Sequence, residues 1–142
     1  MNLHPMLVHF PVAVSVIAFI FEVLDFLTKG KFKNPTLLFI SIVVLSSIFA
    51  VQSGNIESQR LKLSGEEFKV LTEHQESATY SLFVFGIVFM LKLYVFLKMR
   101  KVPSFLVFVL FFLYLVGLFF IFKTAYLGAE LVFKFGVALK QS

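Results

Sequence analysis

Apolar residues fall in long blocks along the chain, and polar residues gather in the gaps between them. The first block runs from about Pro5 to Phe26, and the second lies in the uncharged stretch Asn34 to Ile56. The third extends from near Ser77 to near Leu97 with Lys92 inside it, and the fourth from Val102 to Phe122. Each reaches the roughly 20 residues that a helix needs to cross a bilayer. The pattern therefore predicts an all-α integral membrane protein, a four-helix up-and-down bundle forming a single transmembrane domain over residues 1–142.

The gaps set an orientation. The first holds Lys29, Lys31 and Lys33, and the third holds Lys98, Arg100 and Lys101. The middle one, Glu57 to Gln75, mixes Arg60, Lys62 and Lys69 with Glu57, Glu66, Glu67 and Glu73, and Glu76 follows at once. Basic turns stay cytoplasmic, so the middle loop and both termini are expected to be extracytoplasmic. The expected location is a cytoplasm-bounding membrane, as a multi-pass protein.

Composition agrees. The chain is 59% hydrophobic and 15% charged, against about 25% charged in an ordinary soluble domain. The net charge of +5 flanks apolar blocks and lines no soluble face, so the expected surroundings are a lipid bilayer and not nucleic acid. There is no cysteine, which excludes disulfides, thiolate chemistry, c-type haem attachment and cysteine-ligated iron–sulfur clusters. No phosphate-binding glycine loop, nucleophile elbow or His-Glu-x-x-His motif occurs, and no independent catalytic activity is expected.

Candidate chemistry concentrates at one rim. His4 and His9 stand at the start of the first helix and His74 just before the third, so all three share the outer side. With Pro5 as a first helical residue, His9 lies about 6 Å further in. Pro11 removes a backbone donor and is expected to kink the first helix near Leu7. Ser64-Gly65-Glu66-Glu67 is a capping-box pattern, from which a helix could start outside the membrane and run into the third span. On that helix His74, Ser77, Ala78, Ser81 and Phe85 share a face, with small side chains under the imidazole. Helix two carries a further small-residue stripe at Ser46, Ser47, Ala50, Ser53 and Gly54, which suits close helix packing or a flat cofactor. Deeper in the bundle, Glu22 and Lys92 are expected to pair at similar depth, with Asp25 at the interface. The segment from Lys123 to Gly136 is too short and too charged to span, and its glycines suggest turns.

His4-Pro5-Met6-Leu7-Val8-His9-Phe10-Pro11 resembles the signature of a family of small bacterial membrane proteins, domain of unknown function 2231. Its members typically read His-Pro-x-x-Val-His-Phe-Pro at the head of four helices. Asp25, Gly54, Glu73-His74 and the tail Tyr126 to Val137 match in kind and place, so the resemblance covers nearly the whole chain. The chain departs from the family at Ala129, where a glycine is usual, and at Phe135, where a histidine is frequent. The resemblance implies a bacterial inner (cytoplasmic) membrane, and the family name implies no activity.

Function therefore rests on the histidines. Cofactor sites in helix bundles form from side chains on facing helices, and b-type haem needs only histidine ligands. His9 and His74 are the expected iron ligands. His4 is an alternative ligand or a propionate partner, and Arg60 or Lys62 could neutralise propionates. The expected function is haem b binding for electron transfer, with a quinol or an extracytoplasmic redox protein as partner. Two alternatives stay open. One is a non-haem metal such as copper or zinc on the three histidines. The other is a cofactor-free structural or assembly subunit, in a homo-oligomer or a larger membrane complex.

Overall fold

A computed structural model describes residues 4–137, with side chains from residue 7 onward. It contains α1 (His4–Leu27), α2 (Lys33–Ser58), α3 (Gly65–Lys98) and α4 (Ser104–Phe133). All four are long and apolar enough to cross a membrane. Each neighbours the next in the chain, α4 closes back on α1, and the α1–α4 contact is the loosest of the four. Among the described residues α1 and α3 make no close backbone approach and lie diagonally across the bundle. One end carries the turns 28–32 and 99–103, here called the basic end; the other, the histidine end, carries the loop 59–64.

The bundle is held by a narrow apolar seam. Ala18, Ile40, Val43, Phe85, Val88 and Tyr114 are fully buried, drawn from all four helices. The large side chains outside the seam, such as Phe49, Phe83, Phe105 and Phe119, are exposed on the helix flanks, as lipid contact requires. α3 and α4 approach closely at Gly117, where an added Cβ would lie 2.8 Å from Cε1 of Phe85.

The basic end is locked by charge and by a well-formed helix stop. Lys92 Nζ lies 2.9 Å from Glu22 Oε2 and 3.7 Å from Asp25 Oδ2, and all three side chains are nearly inaccessible. The shorter contact is an ion pair without aligned hydrogen-bond geometry. It joins the diagonal helices α1 and α3, as the matched depths of Glu22 and Lys92 lead one to expect. Asp25 also accepts the Phe32 N–H at 2.9 Å, so its expected interfacial position carries a role in the turn. That turn is a Schellman stop: Gly30 N–H bonds Asp25 O, Lys29 N–H bonds Phe26 O, and Lys29 takes the left-handed position with φ 56°.

One element boundary agrees with the sequence reading and one differs. α3 starts at Gly65 and runs unbroken into the third span, as the capping-box pattern predicts. Ser64 stands extended at the N-cap but makes no side-chain capping bond. α4 does not stop near Phe122; it continues to Phe133 through Gly128. Gly128 is no turn: an added Cβ would meet His74 Cε1 at 3.1 Å, so the glycine lets α4 pass close to the imidazole. Gly136, with φ 60°, is where the backbone does turn.

Removing Lys92 leaves two buried carboxylates without their cation. Lys92→Met is expected to cost about 3–5 kcal/mol, read as a lower unfolding midpoint in detergent; an unchanged midpoint would mean the cluster is solvated. Gly117→Ala is expected to cost about 1–3 kcal/mol by overpacking Phe85. The same denaturation assay checks it, and a neutral result would mean that Phe85 has room to move.

Candidate functional site

The histidine end opens into a cavity of about 400 Å³ among all four helices. Its shape follows from side-chain size. α2 contributes Ser47, Ala50 and Gly54, and α4 contributes Ala125, Gly128 and Ala129. Where these small residues face one another, helices at ordinary spacing leave space between them. The lining is mainly apolar, and Glu57 is its one carboxylate among the described residues.

His9 and His74 both line this cavity, one from α1 and one from α3. They therefore enter it from diagonal helices. His9 sits two residues before Pro11, which also lines the cavity, and its ring is exposed. His74 is half-buried, and its Nδ1 lies 2.9 Å from the carbonyl oxygen of Thr124 on α4. A carbonyl only accepts, so Nδ1 carries the hydrogen in this contact. The same pattern, Nδ1–H on a backbone carbonyl, orients metal-binding imidazoles generally. Gly128 stands against the same Cε1–Nδ1 edge of the ring, one helical turn along α4 from Thr124.

Two hydroxyls mark the cavity further. Ser47 and Ser81 are 6% and 2% exposed, line the cavity and have no protein hydrogen-bond partner among the described residues. Serines in membrane helices usually bond a carbonyl one turn back, as Ser41 and Ser46 do here. A buried hydroxyl without such a bond is costly unless something else satisfies it. The small faces predicted from sequence on α2 and α3 meet in this cavity: Ala78 lines it with Ser81, while Ser77 is buried beside them.

The rim is fastened by polar contacts. Gln75 Nε2 donates to Ser58 Oγ at 2.9 Å, linking α3 to α2. Lys134 bonds Glu66 at 3.0 Å and Glu130 at 3.3 Å, tying the start of α3 to the end of α4. Those hydrogen bonds, Glu66 first, hold the Lys134 ammonium above its ordinary range.

The side chain of His4 lies outside the described residues, although its backbone opens α1. Arg60 is exposed in the loop 59–64 and is not part of the lining, whereas its neighbour Leu61 is. Sequence reasoning did not find Thr124 or Gly128 as partners of His74. No group of three or more histidine, cysteine, aspartate or glutamate side chains is placed to hold a bare metal ion among the described residues.

No curated protein and no solved structure matches the chain. A family model described as a predicted membrane protein, DUF2231, matches residues 1–141. With that coverage, and with four membrane-length helices in place, the chain belongs to the DUF2231 family of predicted membrane proteins.

Proposed function

We propose that this membrane protein binds b-type haem in the cavity at its histidine end and serves in electron transfer. The observation that carries the reading is the entry of His9 and His74 into one apolar cavity from diagonal helices. The donor set suits haem better than a bare ion. A metal ion in a protein site generally needs three or four side-chain ligands, and two described histidines fall short of that. A porphyrin brings four nitrogens of its own and asks the protein for two axial ligands.

The chain's own residues have defined tasks. His9 and His74 would be the axial ligands. The Thr124 carbonyl fixes the orientation of the His74 ring. Gly128 and the small side chains of α2 give a flat macrocycle room that larger residues would fill. The lining offers no arginine or lysine among the described residues, so propionates would sit at the rim, below the loop that carries Arg60 and Lys62. Bound haem supplies one-electron redox chemistry.

The positive-inside rule places the histidine end outside the cytoplasm, since Lys29, Lys31, Lys33, Lys98, Arg100 and Lys101 gather at the other end. A single haem near one face does not bridge a hydrocarbon core about 30 Å thick. Its partners would be a quinol at that interface or an extracytoplasmic redox protein, and the setting a bacterial inner membrane.

The full chain, purified after haem-replete expression, should show a Soret band that shifts on reduction. His9→Ala and His74→Ala should each abolish haem retention. Absence of the band, or a normal spectrum in both variants, contradicts the reading. Gly128→Val should push the His74 ring from its place and weaken haem retention about tenfold; haem titration of the variant checks it, and undiminished binding would show that the ring position is unimportant. Reporter fusions should place the C-terminus outside; a cytoplasmic C-terminus would reverse the assignment of faces.

A further inference from the structure

The basic end carries a second cavity, of about 700 Å³, which the haem reading does not use. It lies where the turns 28–32 and 99–103 come together, beside the loosely packed α1–α4 pair. Its lining holds five cations, Lys29, Lys33, Lys92, Arg100 and Lys101, against the carboxylates Glu22 and Asp25. Both carboxylates are committed to Lys92, and they are buried with it. The other four cations form no ion pair within 4 Å among the described residues.

The walls have a different character from the mouth. Phe26, Phe96 and Phe108 line the cavity and are exposed, and Phe111 and Val107 lie beside them on α4. A ligand complementary to this arrangement carries a negative head and an apolar tail. Lys31 and Lys98 belong to the same basic end yet do not line the cavity. Orientation alone would need only basic residues in the turns; it would not gather four of them around one apolar opening.

We propose that this cavity binds an anionic phospholipid. Its phosphate would lie among Lys29, Lys33, Arg100 and Lys101, and its acyl chain would run along the aromatic rings of α1 and α4. Basic pockets between membrane helices recognise anionic head groups in this way, each base near the surface adding to the attraction. The buried Glu22 and Asp25 keep the phosphate at the mouth, because their charges repel an anion that moves deeper. Lys33 is placed for this contact by the turn itself: its chain packs against Gly30, where an added Cβ would lie 2.8 Å from Lys33 Cε.

The test is native mass spectrometry of the full chain in mild detergent with added phosphatidylglycerol, phosphatidylcholine or inorganic phosphate. Phosphatidylglycerol should be retained at least about tenfold better than phosphatidylcholine, and inorganic phosphate should not compete it off at equal concentration. R100Q/K101Q should lose that preference, while K31Q/K98Q, which removes the same charge from the same end, should keep it. Circular dichroism confirms that both variants stay helical; if R100Q/K101Q does not, K29Q/K33Q takes its place in the comparison. Equal retention of the two lipids, competition by phosphate alone, or equal losses in the cavity and control variants would overturn the proposal.

Discussion

Hydrocarbon offers no partner to a polar group, and every feature of this bundle follows from that. Backbone groups are satisfied inside four helices. Hydroxyls in the spans turn back onto their own helix: Thr36, Ser41, Ser46 and Thr124 each bond a carbonyl four residues earlier. Lys92, the one buried cation among the described residues, is held between two carboxylates. Among the described residues Ser47, Ser81 and Tyr114 have hydroxyls without such a bond, and the two serines open onto the cavity of the histidine end.

Chemistry is thereby confined to the two ends, and the ends are built differently. At the basic end, large aromatic and long cationic side chains surround an opening between α1 and α4. At the histidine end, small residues on α2 and α4 leave the space and His9 and His74 face it. The Lys92 cluster ties α1 to α3 near the basic end, so the same two helices that present the histidines are fixed relative to each other. A rigid pair of diagonal helices is what a two-ligand site requires, because a ligand shift of a fraction of an ångström weakens such a site.

Most of the architecture is legible in the sequence because it depends on local hydropathy. Block length fixes the four spans, and equal depth predicts the Glu22–Lys92 pair. The capping-box pattern at Ser64 locates the start of α3, even though the serine side chain makes no capping bond. The end of α4 was misread for a physical reason. Lys123, Glu130 and Lys134 look unsuited to a span, but α4 projects beyond it, where Lys134 pairs with Glu66 on α3. Gly128 was misread in the same way, since a helix-packing glycine and a turn glycine look alike without the partner element. The bond from His74 to Thr124 joins residues fifty positions apart, and no local pattern announces it. The basic cavity was invisible for the same reason: its charges were legible, but their arrangement around one opening depends on how far α4 stands from α1.

The proposed role of the histidine end stands or falls on two imidazoles reaching one iron. Electron paramagnetic resonance of the frozen, oxidised, haem-loaded protein reads this directly. A low-spin ferric signal with two axial nitrogens, lost when either His9 or His74 is replaced by alanine, is the expected result. A high-spin signal in the unaltered protein, or a low-spin signal indifferent to both substitutions, would contradict it.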